Sequence, residues 1–286
     1  MAVNTSREEY GVADKTLSGK VAIVTGAASP IGMGRAMALA LVGAGARVGL
    51  ADIDARGLAD AVGAVSEVGG NGCAIALEAD ISDSAQAEAI VQRAIAELGG
   101  LHILVNNAGI QLRRPPRPGD TRVRFSASFW ETDAAQWDRV VAINLSGQFY
   151  MARAAIGHLL DQRWGRIIGV TTSLSAMVGK GAAPYGPSKA GHEALMAVFA
   201  HDLEGTGVTA NVLTPGGAVD TNLVAPEVDR TGWIQAQIMQ APVVWLASEA
   251  SNGVNGRRFI ARNWDESLPI SERIEKAGAP VGWPTT

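Results

Sequence analysis

Seven short apolar runs, rich in Val, Ile and Leu, recur at residues 21–25, 47–51, 74–77, 103–106, 166–171, 208–213 and 257–260, with longer Ala-rich stretches at helical spacing between most of them. Apolar runs of this length, with little polar alternation, read as strands buried on both faces. Strands of that kind need helices above and below them. The alternation supplies those helices, so the expected fold is α/β: a doubly wound, mostly parallel sheet of about seven strands with helices on both faces. Segment 85–98 shows the helical half of the pattern, since Ala89, Ile90, Ala94 and Leu98 share one face and Ser82 or Asp83 can cap the start. No repeat and no linker divides the chain. Residues 17–261 read as one domain, 1–16 as an N-terminal extension, and 262–286 as a tail with Trp264 and Trp283 that wraps a surface or a neighbouring subunit.

Composition narrows the function. With 47% hydrophobic and 18% charged residues over 286 positions the chain can bury a substantial core, and a net charge of -4 is not the footprint of a nucleic-acid binder. The longest apolar stretch, 36–46, is about eleven residues, short of the roughly 20 a membrane helix needs, and reads as a buried helix. The polar start of the chain carries no apolar signal segment, so a cytoplasmic protein is expected. Cys73 is a single thiol that reads as a small buried hydrophobe, and the four histidines (His102, His158, His192 and His201) form no recognisable pair, so no metal site is expected.

After the first strand comes Thr25-Gly26-Ala27-Ala28-Ser29-Pro30-Ile31-Gly32, a glycine-spaced turn opening a helix whose first N–H groups can hold a pyrophosphate. Asp52, at the end of the next strand and twenty residues beyond Gly32, stands where a carboxylate can accept hydrogen bonds from the adenosine ribose. It would repel a 2′-phosphate. Its neighbours Ser29 and Ile53 offer no compensating base and only Arg56 lies further along, so NAD is favoured over NADP. Tyr185 and Lys189 form the second constellation. A Tyr four residues ahead of a Lys arises by chance in about one chain in twenty of this composition. On a helix the two share a face, where an ammonium can lower the phenol pKa toward neutrality and make a general base.

Together, Thr25-Gly26 with Gly32, Asn106-Asn107-Ala108-Gly109, Asn144, the Ser/Thr cluster after the fifth strand, Tyr185-x-x-x-Lys189 and Pro215-Gly216 resemble the short-chain dehydrogenase/reductase family over residues 17–261. The resemblance implies a Rossmann-type sheet, hydride transfer with a nicotinamide cofactor between a secondary alcohol and a ketone, and a homo-oligomer, a tetramer or a dimer. It assigns Tyr185 the proton exchange, Lys189 the nicotinamide ribose, and Asn144 a water in the proton relay. It also adds Ile31, Ile53, Asp80, Ile81, Asn107, Ala108, Gly109, Pro215, Gly216, Val219 and Thr221 to the cofactor contacts. The alternatives are an NADP-dependent 3-oxoacyl reductase, which Asp52 disfavours, and a non-catalytic dinucleotide-binding protein.

Departures from the family pattern touch the carbonyl-polarising hydroxyl, the glycine turn, and the short segment 221–233 with the ending after Ile260. One loop also stands apart from the strand–helix alternation. The hydroxyl that polarises the substrate carbonyl lies thirteen residues before the Tyr in the family, which falls on Thr172. Aligning on Gly179 instead selects Ser173, the preferred reading because the side chain matches, with Ser175 a third option. Pro30 replaces the family's central glycine and is expected to be the first helical residue after a Ser29 N-cap. A proline-interrupted, Arg-rich loop at 111–125 carries Arg113, Arg114, Arg117, Arg122 and Arg124. It reads as a solvated loop or subunit contact, or as a recogniser of an anionic substrate through Arg113, Arg114 or Arg117.

Overall fold

Strand β1 (Val21–Thr25) is buried at every position, which requires a place in the middle of a sheet covered on both faces. The computed structural model describes residues 15–111, 128–223 and 229–283. The Arg-rich segment and the first fourteen residues therefore lie outside the described residues. Beside β1 run β2 (Arg47–Asp52) and β4 (Ile103–Asn106), both parallel to it, with Val21 opposite Arg47 and Ala22 opposite Ile103. β3 (Ala74–Glu78), β5 (Gly165–Val170), β6 (Val208–Thr214), β7 (Arg257–Ile260) and the short β8 (Gly278–Pro280) complete the sheet in the order β3-β2-β1-β4-β5-β6-β7-β8. Seven strands are parallel, as the alternation of the sequence predicts. The eighth pairs antiparallel with β7.

The helices are α1 (Met33–Gly43), α2 (Ala55–Gly69), α3 (Ser84–Leu98), α4 (Ala134–Val141), α5 (Gly147–Asp161), the single turn α6 (Leu174–Met177), α7 (Tyr185–Asp202), α8 (Gln240–Ala247) and α9 (Ile270–Ala277). Met37 and Leu41 of α1, Leu58 of α2 and Leu246 of α8 pack one face of the sheet. Ile90 of α3, Met151 of α5 and Met196 of α7 pack the other. Each such side chain taken from water stabilises the fold by about 1.5–3 kcal/mol. α3 begins where expected, with Asp83 as its N-cap accepting from the Ala85 and Gln86 N–H groups.

One local expectation is corrected. α1 starts at Met33 with Gly32 as its N-cap, so Pro30 is not the first helical residue. It follows Ser29 in a tight turn, where the Ser29 carbonyl accepts from the Gly32 N–H and the fixed φ of proline suits the second position. The tail packs onto the sheet. Trp264 is buried against Trp245 and Phe259, with ring centroids 4.9 and 6.2 Å away, and the chain then forms α9 and adds β8 to the sheet edge.

Candidate active site

Ligands of an open parallel sheet sit beyond the carboxyl ends of the strands, where the strand order reverses. Here the reversal falls between β1 and β4. A cleft of about 350 Å³ opens there, and a second cavity of about 160 Å³ shares Gly26, Asp52, Ala108 and Gly109 with it.

The glycine turn forms the floor. Gly26 has φ +68°, and a Cβ there would lie 2.8 Å from the Ala108 Cα, so only glycine lets β1 turn this close to the end of β4. A Cβ at Gly34 would lie 2.2 Å from the Gly26 carbonyl. Thr25 fastens the same junction, its Oγ1 accepting from the Asn107 and Ala108 N–H groups at 2.9 Å each. Asn107 Nδ2 donates back to the Thr25 carbonyl. Asp52 lies on the wall of both cavities. One carboxylate oxygen accepts from the Ala28 N–H across the turn and the other from the N–H groups of Ile53 and Asp54. Arg35 reinforces the turn from beneath, donating to the Ala28 and Gly57 carbonyls and pairing with Asp60 at 2.6 Å.

Of the residues expected to hold a cofactor, Gly26, Ser29, Gly32, Asp52, Asn107, Ala108, Gly109, Tyr185, Lys189 and Thr221 line the cleft. Ile53, Asp80 and Ile81 line the smaller cavity. Burial works to raise the Asp80 carboxyl, but its Ser82 hydrogen bonds and the Arg139 guanidinium outweigh that and hold it below the usual range. Ile31, Pro215, Gly216 and Val219 line neither space. Gly216 has φ +89°, and Val219 is buried in a bridge to Ile234.

Helix α7 carries Tyr185 at its first position and Lys189 one turn on. Lys189 Nζ donates to the Val170 carbonyl at 2.9 Å. Burial brings its ammonium down to about 8 and pushes the Tyr185 phenol up to about 12, against a lowering hydrogen bond with the Thr172 side chain. The expected fall of the Tyr185 pKa toward neutrality is therefore not met in the free protein, because burial dominates both groups and the ammonium is directed at a backbone carbonyl.

Asn144 sits in a π-helical turn, Ala142–Ser146, between α4 and α5. Such turns aim a side chain off the regular helical path. Its Oδ1 accepts from the Ile110 N–H at 2.8 Å, while Nδ2 donates to the Ile110 carbonyl and to Ser188 Oγ on α7. Asn144 thus ties the β4 exit to the helix that carries Tyr185. The three candidate hydroxyls separate. Ser173 is exposed and caps α6, accepting from the Ala176 N–H at 3.2 Å, and Ser175 lies 3.3 Å from it. Thr172 is half-buried, and its side chain works to lower the Tyr185 phenol. Sequence reasoning passed over Ile110 and Gln148, whose amide donates to the Ala108 carbonyl. Neither carries a motif-like signal, and Thr25, quoted in the glycine turn, was given no role of its own.

A doubly wound sheet with a glycine turn at its switch point, an acidic residue ending β2 and a Tyr–Lys helix in one cleft defines an oxidoreductase that binds a nicotinamide cofactor. The cleft fits that group through its backbone-rich turn, the Asp52 carboxylate and the Lys189 ammonium. Residues 20–231 match the short chain dehydrogenase family, and the chain belongs to it, acting on hydroxyl or keto groups. It is 37% identical over 279 residues to the hydroxyacyl-CoA dehydrogenase ChsB1 of Mycobacterium tuberculosis, covering 91% of this chain and 82% of that one. It is 35% identical over 216 residues to the D-beta-hydroxybutyrate dehydrogenase of Cupriavidus necator, covering 74% and 76%. The fold is also that of a dehydrogenase/reductase from Sinorhizobium meliloti, with a TM-score of 0.72, 31% identity, and 86% and 95% of the two chains covered.

Proposed function

We propose that the protein is an NAD-dependent dehydrogenase that interconverts a secondary alcohol and a ketone. The observation that supports this reading is the meeting of Tyr185 and Lys189 in one cleft with Asp52 on its wall. When bound, the nicotinamide supplies the hydride acceptor or donor. Tyr185 exchanges the proton with the substrate oxygen, and Thr172, rather than Ser173, donates a hydrogen bond to that oxygen as charge develops on it. Lys189 holds the nicotinamide ribose, and Asp52 holds the adenosine ribose and disfavours a 2′-phosphate. Asn144 fixes the Ile110 peptide at the mouth of the cleft.

The substrate proposed is anionic. A hydroxyacyl-CoA and a hydroxybutyrate, named for two relatives, both carry negative charge, and Arg113, Arg114 and Arg117 follow the β4 exit in sequence, although they lie outside the described residues. The test is a panel of hydroxy acids, hydroxyacyl thioesters and neutral alcohols followed by nicotinamide absorbance, with Tyr185→Phe beside the wild type. The expected result is turnover that falls at least about 100-fold in the variant while NAD affinity stays nearly intact. Activity retained within a few-fold would sink the mechanism.

A further inference from the structure

Three consecutive residues at the end of β5 are each held by a different charged side chain. The Val170 carbonyl accepts from Lys189 Nζ, and Thr171 Oγ1 donates to Glu193 Oε2 at 2.6 Å. The Thr172 carbonyl accepts from Arg258 Nη2 at 2.5 Å. Glu193 lies on α7 at the third step of the series Tyr185, Lys189, Glu193, four residues apart each time and so on one helical face. Arg258 reaches it from β7, with Nη1 2.6 Å from Glu193 Oε2 and 3.3 Å from Thr171 Oγ1. Neither partner is at the surface: Glu193 is 0% and Arg258 5% exposed. The second carboxylate oxygen accepts from the Gly282 N–H, just beyond β8, at 3.3 Å. A buried charge pair of this kind persists only where each hydrogen-bonding group finds a partner, as these do.

The two prongs of the guanidinium therefore perform separate tasks. One neutralises the carboxylate on the helix that presents Tyr185. The other holds the carbonyl of Thr172, the residue next to Thr171 and the one whose side chain works on the Tyr185 phenol. A planar fork can hold both at once, which a lysine ammonium cannot. We propose that Arg258, paired with a Glu193 carboxylate that the Gly282 N–H also holds, is a positioning residue that sets the Thr172 hydroxyl against Tyr185 for proton exchange. It touches neither substrate nor cofactor and acts through the Thr172 peptide. This rests on the reading of Tyr185 and Thr172 given above. It also gives the C-terminal segment a role at the site, since the strand that closes the sheet edge supplies the N–H on the far carboxylate oxygen.

The test is a double-mutant cycle between Arg258→Lys and Thr172→Ala. Lysine keeps the charge opposite Glu193, and with it the fold, but loses the second prong. Expected for Arg258→Lys is a kcat lowered about 10-fold, with KM and NAD Kd within about twofold of wild type. In the Thr172→Ala background the same substitution should cost nothing further in kcat, because the hydroxyl it positions is already gone. A wild-type kcat in Arg258→Lys, or losses that multiply in the double variant, would overturn the proposal. If the lysine variant melts, Glu193→Gln with Arg258→Gln, a neutral pair of similar shape, takes its place in the cycle with the same two outcomes. Tyr185→Phe keeps the two failures apart. Turnover in that variant overturns the catalytic reading itself, whereas a dead Tyr185→Phe with an unaffected Arg258→Lys overturns only the positioning role.

Discussion

Lys189 is 4% exposed and carries its charge beside Tyr185 with one backbone carbonyl as hydrogen-bond acceptor. The fall of its pKa from 10.5 to about 8 through burial is a statement about stability. Between those two values the unfolded chain binds a proton that the folded chain does not, so the deficit is fully present below pH 8 and is recovered as pH rises to 10.5. Its size is on the order of 3 kcal/mol, less the hydrogen bond to Val170. Lys189→Met should therefore abolish turnover yet raise the melting temperature near neutral pH, with the gain shrinking between pH 8 and 10.5. Tyr185 titrates in both proteins and cancels in the comparison. Melts of the two proteins across that window check it, and a variant less stable than wild type at neutral pH would show that the buried ammonium is not a burden on the free enzyme.

The turn between β1 and α1 and the end of β2 act as one element, because Ala28 donates its N–H to Asp52 and lends its carbonyl to Arg35. Arg35 is committed beneath the turn to Asp60 as well, and the residue after Asp52 is the exposed Ile53. Asp52→Ala with Ile53→Arg removes a repelling carboxylate and supplies a phosphate partner, so the ratio of NADP to NAD affinity should rise by at least about 10-fold. Titrations of both cofactors measure it, and an unchanged ratio would place discrimination elsewhere. Because the Asp52 contact to Ala28 is also lost, NAD affinity itself should fall. This element was legible in the sequence because strand, glycine turn and acid come in fixed order, and the seven parallel strands were legible for a similar reason: each is a nearly continuous apolar run. β8 was not. Three residues, Gly278 to Pro280, carry no pattern, and their pairing depends on β7 lying beside them. The placement of Pro30 was missed because it turns on a shift of a few residues that backbone geometry, not residue type, decides. The Arg258–Glu193 pair joins positions 65 residues apart, a separation at which no spacing rule applies.

The sheet as a whole has two unlike ends. At the carboxyl ends of the strands lies the cleft, with its charged and hydrogen-bonding groups. At the opposite end the chain closes on two imidazoles: His102 Nδ1 accepts from the Val21 N–H at the start of β1, and His158 Nε2 accepts from the Leu101 N–H just ahead of β4, each at 3.1 Å. Both bonds require an unprotonated ring nitrogen. Burial brings His102 down to about 4, helped by the charges of Lys20 and Arg47 around it. A base whose folded pKa is depressed contributes stability above its unfolded value of 6.5, lost as pH falls through that value toward 4. The strand starts at the centre of the sheet should thus loosen in mild acid, while Glu249 and Asp265, both held down to about 2, remain ionised. Glu249 is helped by Lys20 and Trp164 against the burial that would raise it, and Asp265 is held chiefly by Ser267 and Lys276. His102→Asn supplies an amide oxygen to the Val21 N–H and has no proton to gain. Its melting temperature should fall less steeply than the wild type's between pH 6.5 and 4, with carboxylates elsewhere contributing equally to both curves. Parallel slopes in the two proteins would mean that the acid sensitivity of the fold does not pass through this ring.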